Sequence, residues 1–415
     1  MARELSLWVV AAGLSLGPAV SNGLARFAYG LILPAMQADL AWNYTQAGWL
    51  NTANAAGYLA GALITFALVD RLGARRLFVL GILATPVTLA GSAAFADLWL
   101  QSVFRLSAGI AGAAIFISGS AMSAMLFRLD RRRNALAISL YFGGAGLGMI
   151  ASGAILPILL DRAGAAAWPR AWLFLAGLSA LAVIPAVLAA RRCPQPARGV
   201  GSGSETLPVK AMAFGAAGYF LFAVGYLVYL TFLVALMREG NASAVLVAVS
   251  WSLLGLGVIA APFLWRGILA RSVGGGALGL ACLATGAASL LPLAMPGSVA
   301  ALIVSVAVFG LSFFMAPTAV TSFARRHLAQ ALWGRAVAMF TIVFAVGQIA
   351  GPTLAGMISD ITGALSHGMA AAGLILLAGA ATALLQRPLG AGPHGARRGG
   401  LPVGATCRRS TTERH

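Results

Sequence analysis

The amino-acid sequence predicts an all-α membrane protein with twelve transmembrane helices in two pseudo-symmetric bundles of six. Of its 415 residues, 60% are hydrophobic and 9% are charged, whereas a soluble domain carries about 25% charged residues. Apolar runs of roughly 20 residues, long enough to cross a bilayer core, follow one another along the chain. The runs are continuous, so they also exclude a β-barrel, whose strands would alternate polar and apolar residues.

Charged and turn residues separate the apolar runs into two sets of six predicted spans. The first set covers 6–36, 44–69, 77–95, 98–127, 135–160 and 170–190, and the second covers 211–237, 243–265, 275–295, 298–324, 335–358 and 366–386. The segment between the sets is rich in Pro, Gly and Ser, which is typical of a flexible linker. We therefore predict an N-terminal bundle over 1–190, a cytoplasmic linker over 191–210, a C-terminal bundle over 211–387 and a disordered tail over 388–415.

Basic residues concentrate in alternate loops. With the N-terminus inside, the loops on the opposite side hold only Arg162, Arg170 and Arg238. Because cytoplasmic loops carry an excess of Lys and Arg, both termini are predicted to be cytoplasmic. The Ala-, Gly- and Arg-rich composition favours a bacterial inner membrane. The net charge of +18 follows this loop pattern, so we predict the lipid bilayer rather than nucleic acid as the partner.

Two motifs recur between the halves, which indicates an internal repeat. Asp161-x-x-Gly164 recurs as Asp360-x-x-Gly363 with an offset of 199 residues. A set of three glycines recurs with an offset of 203 residues, as Gly144, Gly148 and Gly153 and then Gly347, Gly351 and Gly356. The offsets differ by about one helical turn, so the alignment of the fifth span with the eleventh stays open.

The loop between the second and third spans reads Asp70-Arg71-Leu72-Gly73-Ala74-Arg75-Arg76. It resembles the signature of the major facilitator superfamily, and Arg105 with Gly109 in the fourth span resembles another element of that superfamily. The resemblance implies a transporter that alternates access between two six-helix bundles. It also implies a conformational gate formed by Asp70, Arg71, Gly73, Arg75 and Arg76. The loop departs from the signature at Phe66 and Ala74, where the signature has Gly and a basic residue.

A second resemblance concerns a poorly characterised bacterial branch labelled as efflux permeases. It rests on the phrase from Gly23 to Tyr29 and on Gly347-Gln348-x-x-Gly351-Pro352. It implies export and adds Gln348 to the candidate substrate-binding residues. The fifth span also resembles an antiporter motif, but Met149 and Ser152 replace its Pro and Gly, which weakens that interpretation.

The second span carries a polar stripe. Its members recur at helical spacing on one face: Tyr44, Asn51, Asn54 and Tyr58. Amides are costly in lipid, so the stripe should face protein or a water-filled cavity. We favour a cavity that contacts substrate; hydrogen bonding between helices is the alternative.

Three further sets of residues are candidates for the transport path. In the first span Asn22, Arg26 and Tyr29 follow at i, i+4 and i+7, and Arg26 lies roughly 15 Å from the outer end of its helix. An intramembrane arginine indicates a functional site, and backbone carbonyls or polar neighbours are its structural alternative. Arg105 could contact substrate or extend to the outer surface. Tyr226 and Tyr229, on an aromatic face of the seventh span, fit a cavity or packing equally well.

The charge inventory suggests the cargo. All ten acids and four histidines lie in loops or at helix ends, so nothing near Arg26 in sequence neutralises it. Because an unpaired buried guanidinium is costly, we expect a small organic anion as substrate. Proton-linked efflux of neutral or cationic compounds and a non-transporting receptor are the alternatives. No catalytic or metal-ligand motif is present in the sequence, so we expect no enzyme activity, no cofactor and no metal, and we expect a monomer.

Overall fold

The computed structural model describes residues 2–194, 207–329 and 332–389. The described residues form twelve helices that are long and apolar enough to cross a membrane, as predicted. In chain order they are α1 Ser6–Leu40, α2 Tyr44–Leu72, α3 Ala74–Ala94, α4 Leu98–Ser123, α5 Arg132–Ala163 and α6 Ala165–Arg192, then α7 Val209–Glu239, α8 Ala244–Arg271, α9 Gly276–Ala294, α10 Val299–His327, α11 Trp333–Thr362 and α12 Leu365–Leu384. Most of the predicted linker and tail lies outside the described residues, so these two predictions stay predictions.

Local sequence explains where several helices begin and end. Asn43 and Gln46 form a capping box at the start of α2, and the Asp97 carboxylate accepts backbone hydrogen bonds at the start of α4. Such caps satisfy amides that have no partner within the helix. Between α2 and α3, Gly73 has φ +81°, a backbone conformation that favours glycine.

The two halves meet chiefly through three pairs of helices, α1 with α7, α2 with α11 and α5 with α8. We call the end of the molecule that holds Asp161 and Asp360 the Asp360 side. The opposite end, which holds residues 70–76 and Cys193, is the linker side. A Cβ atom at Gly356 would lie 2.3 Å from the Tyr44 carbonyl oxygen, and one at Gly48 would lie 2.3 Å from that of Pro352. These contacts between α2 and α11 close the Asp360 side.

The packing of the repeated glycines settles the register of the repeat. Gly148 contacts the backbone of α1 at Ala19, and Gly351 contacts the backbone of α7 at Val224. The glycines related by the offset of 203 residues therefore pack on α1 and α7, which are the first helices of the two halves. The aspartates follow at the smaller offset because α5 has about one extra helical turn between its glycines and Asp161.

Candidate functional site

Arg26 lies in a nine-residue π-helical segment of α1, Ala19–Phe27. Its side chain is 4% exposed, and its Nε and Nη2 atoms are buried without a hydrogen-bond partner among the described residues. The guanidinium carbon lies 5.0 Å from the centre of the Tyr58 ring. Segments of π-helix are frequent at functional sites. Arg26 therefore presents buried donors that nothing in the described part of the chain satisfies.

Gln348 is the second buried group with unused hydrogen-bonding capacity. It is fully buried, and both its amide nitrogen and its amide oxygen lack a partner in the described part of the chain. Arg26 lies about four helical turns before the end of α1 at Leu40, and Gln348 lies about four turns before the end of α11 at Thr362. The two side chains therefore lie at the same depth below the Asp360 side.

Tyr58 and Tyr226 lie at this depth too. Tyr58 follows the start of α2 by about four helical turns, and Tyr226 precedes the end of α7 by about four turns. Each is close enough to Arg26 to interact with it electrostatically. The Tyr226 ring stacks on Phe344 with 5.6 Å between ring centres, and Gln348 follows Phe344 by one helical turn. We call Arg26, Tyr58, Tyr226 and Gln348 the central cluster; two of its residues come from each half.

An aromatic wall borders the central cluster on the C-terminal half. Tyr226 stacks on Phe222 at 5.1 Å and on Phe313 at 6.1 Å, with nearly parallel ring planes. Sequence reasoning missed Phe313 and Phe344. Phe313 lies where α10 is interrupted, between Ser312 and Met315, and apolar periodicity does not distinguish a wall of a site from ordinary core.

Arg105 occupies a different environment from Arg26. It is fully buried, so the alternative that it extends to the outer surface is wrong in this conformation, and its contact with substrate stays a prediction. Its guanidinium donates hydrogen bonds to the Ala25 and Arg26 carbonyl oxygens and to Asn51 Oδ1. It also lies 4.9 Å from the centre of the Tyr29 ring. Because a π-helical turn changes the usual carbonyl partners, Arg105 supplies donors that the helix needs.

The π-helical segment also changes the predicted face of α1. Asn22, Arg26 and Tyr29 would share one face of a regular α-helix, but the wider turn rotates the later residues. Tyr29 instead donates a hydrogen bond to the Ala47 carbonyl oxygen at 2.7 Å and lies beside Arg105. The Asn22 amide oxygen accepts a hydrogen bond from Ser21. The structure thus separates Tyr29 from Arg26.

The predicted stripe of α2 is also divided. Asn51 donates to Thr231 of α7 at 2.6 Å, and Asn54 donates to the Arg105 carbonyl oxygen at 3.0 Å. Both amides are buried in helix interfaces. In this conformation they therefore fit the alternative interpretation, hydrogen bonding between helices, rather than the favoured cavity. Tyr44 donates to Glu239 at the Asp360 side. Only Tyr58 of this stripe lies beside Arg26.

Tyr229 likewise points away from the central cluster. Its hydroxyl forms a 2.6 Å hydrogen bond with Ser305, and its ring stacks on Phe309 with 4.1 Å between ring centres. These contacts lie within the C-terminal half. Packing is therefore the better description of Tyr229.

A cleft of about 270 Å³ lies elsewhere, at the Asp360 side between the halves, and it is lined by residues that include Leu31, Asp161 and Arg238. None of the predicted site residues lines it. Among the described residues, no group of three or more His, Cys, Asp or Glu is placed to hold a metal ion.

The sequence matches the family described as the uncharacterised MFS-type transporter YbfB over residues 18–384. This match spans most of the chain. The chain belongs to this family. It is a multi-pass membrane transporter of the major facilitator superfamily (MFS), not an enzyme.

Solved structures share the fold of this YbfB-type chain. A mutant of the nucleoside transporter NupG aligns with 14% identity and a TM-score of 0.65, over 91% of this chain and 98% of the other. A bacterial homologue of the human lysosomal transporter Spinster, inward-facing and unoccupied, aligns with 16% identity and a TM-score of 0.66, over 92% and 96%. A search of curated proteins finds no match.

The signature loop of the YbfB-type chain lies on the linker side. Arg75 donates hydrogen bonds to the Ala190 and Cys193 carbonyl oxygens, both at 2.9 Å, and so holds the end of α6. Asp70, Arg71 and Arg76 are exposed. Arg75 therefore packs within the N-terminal half, and the gating role of this loop stays a prediction.

Proposed function

We propose that this YbfB-type transporter carries a small organic anion by alternating access and binds it at the central cluster, between the two halves. The observation that supports this proposal is the buried Arg26 guanidinium, which has two nitrogen atoms without a hydrogen-bond partner among the described residues. Leaving a buried charge unpaired is costly. An anionic oxygen at Arg26 would relieve that cost, and the binding energy would come from this relief.

Gln348 and the aromatic wall extend the description of the cargo. The carboxamide of Gln348 offers both a donor and an acceptor, and the wall offers stacked rings. A carboxylate with a further polar group and an apolar or planar body fits these three features. The cargo therefore needs an acceptor for Arg26, a partner for Gln348 and a face that packs on Tyr226.

We further propose a bacterial inner membrane and cytoplasmic termini, which the loop arginines support. In that orientation the closed Asp360 side faces outward, and the binding site would be reached from the cytoplasm. Export is the favoured direction because the chain resembles efflux permeases. The direction is tested by comparing uptake into everted vesicles with uptake into right-side-out vesicles; uptake only into right-side-out vesicles would contradict export.

Binding assays on variants of Arg26 test the choice of substrate. A thermal-shift screen of anions, cations and neutral metabolites on the purified wild type first identifies the ligand. We expect Arg26→Ala to abolish the shift, and Arg26→Lys to weaken it strongly if the anion is bound by two parallel hydrogen bonds. Tyr226→Phe should weaken binding, because its hydroxyl lies near Arg26.

Tyr229→Phe is the matched control, since it removes a tyrosine hydroxyl from the same helix that is bonded to Ser305 and not to the cluster. It should leave binding unchanged. Unchanged binding in a folded Arg26→Ala protein, or a preference of the wild type for cations, would contradict the proposal and favour efflux of neutral or cationic compounds.

A further inference from the structure

The repeated D-x-x-G motif ends α5 and α11, and its two glycines differ in ψ, which is 173° at Gly164 and 11° at Gly363. Gly164 has φ +81° and Gly363 has φ +72°, and this positive φ is the reason for glycine at both positions. The glycines thus account for half of the motif. The aspartates Asp161 and Asp360 need a separate explanation, because neither contributes to the helix end.

Asp360 binds the first turn of a helix from the other half. Its carboxylate accepts hydrogen bonds from the Tyr44 and Thr45 backbone amides, both at 2.9 Å, and a third from the Thr45 hydroxyl. These amides lie at the start of α2, which is the positive end of the helix dipole. Next to this contact, Gly356 lets α11 touch the backbone of Tyr44.

Asp161 also contacts the other half, but it pairs with a side chain near the end of α7 rather than with the start of a helix. It belongs to the N-terminal half and pairs with Arg238 of α7 at 3.1 Å. Both aspartates are exposed, but Asp161 forms one ion pair whereas Asp360 accepts three hydrogen bonds, so Asp161 contributes less. The two aspartates are related by the repeat, and each joins its own half to the other at the Asp360 side.

We propose that Asp360 and Asp161 are latches that hold the two halves together at the Asp360 side, and that Asp360 is the stronger latch. This inference rests on the proposed alternation of access. Opening of the Asp360 side requires α2 to leave α11, so the three hydrogen bonds of Asp360 must break. Removing the carboxylate charge should therefore favour the open conformation.

The experiment measures a distance and needs neither substrate nor transport. Spin labels are attached at Ala96→Cys and Ala294→Cys, two exposed positions at the Asp360 side, one in each half. The native Cys193 and Cys282 are buried, and Cys407 is replaced by serine. Pulsed electron paramagnetic resonance of the protein in nanodiscs then gives the ratio of long to short distances.

Asp360→Asn keeps the size of the side chain and removes its charge. Because the hydrogen bonds to α2 are weakened, we expect the ratio of open to closed protein to rise by roughly tenfold. Thr45→Val, which removes one donor, should raise the ratio less, and Asp161→Asn should also raise it less. The matched control is Asp97→Asn. That residue caps α4 through Trp99 and Leu100 on the same side of the molecule, but within one half, so the ratio should not change.

Gly356→Ala separates failure of the latch from failure of alternation. Its added methyl group would overlap the Tyr44 carbonyl and should force α2 from α11. If Gly356→Ala opens the protein while Asp360→Asn and Thr45→Val behave like the wild type, the latch is refuted and alternation stands. If no variant, including Gly356→Ala, gives a longer distance, both the latch and the proposed alternation are refuted.

Discussion

Replacing each of the two buried arginines by methionine is expected to lower stability at Arg105 and not at Arg26. The Nη1 and Nη2 atoms of Arg105 donate hydrogen bonds to Ala25, Arg26 and Asn51, and its Nε atom has no partner in the described residues. For Arg26, both Nε and Nη2 are without a partner there. Methionine is similarly long and apolar, so it keeps much of the packing volume at both positions. The comparison therefore isolates the hydrogen bonds and the charge.

For Arg105→Met we expect the free energy of unfolding to fall by about 3 kcal/mol, since removal of one partner leaves the others buried and unsatisfied. Loss of the cation–π contacts with Tyr29 and Trp172 adds to this effect. For Arg26→Met we expect no loss, or a gain of about 1 kcal/mol, because removing a desolvated charge breaks no hydrogen bond and offsets the lost cation–π contact with Tyr58. Binding sites commonly hold such unfavourable groups at a cost in stability.

The assay is unfolding by sodium dodecyl sulfate in mixed micelles, followed by circular dichroism, with the wild type as reference. Arg26→Met should unfold at the same or a higher detergent fraction and should bind no anion. Arg105→Met should unfold at a clearly lower fraction. Equal destabilisation by the two substitutions would refute the reasoning, because Arg26 would then be a structural arginine like Arg105.

Three further predictions concern topology, the gate and the site. A membrane-impermeant maleimide should label Ala96→Cys in intact cells, and labelling only after lysis would reverse the predicted orientation. Background labelling of Cys193 should be low, because this thiol is buried and burial raises its pKa to about 11, so it stays protonated at neutral pH. Asp70→Asn should slow transport and change the ratio of inward-open to outward-open protein, as the signature resemblance implies, and wild-type values of both would exclude a gating role. Tyr58→Cys should react with a small hydrophilic reagent in the purified protein faster than Asn54→Cys, because the position of the Asn54 amide is enclosed beside Arg105. Equal reactivity would favour the original prediction that the whole polar stripe of α2 faces one cavity.

The helical pattern of the chain could be predicted closely. Each predicted span overlaps one of the observed helices, and the greatest difference is α8, which ends at Arg271 rather than at Trp265. The length and continuity of apolar runs determine these elements, and both are local properties of the sequence. The repeat was also visible, although its register was open until the glycines of α5 and α11 were seen to pack on α1 and α7.

The candidate site could be predicted only in part. Arg26, Tyr58, Tyr226 and Gln348 were chosen from the sequence, and the structure brings them to one depth. Tyr29, Asn51, Asn54, Arg105 and Tyr229 were also chosen from the sequence, yet in the structure their polar groups form hydrogen bonds outside the central cluster. Regular helical arithmetic failed for Tyr29 because a π-helical segment precedes it.

By itself the sequence determined the membrane environment, the number and order of the helices, the likeness of the two halves and the presence of an arginine deep in the first helix. Composition, apolar run length and recurring short motifs account for these four, because each is a property of the chain that needs no knowledge of spatial neighbours. Only the tertiary structure decided which of the two buried arginines has partners, because the carbonyls and the amide that bind Arg105 come from α1 and α2, far from it in the chain. The same reason applies to Asp360, whose partners at Tyr44 and Thr45 lie in the other half of the molecule.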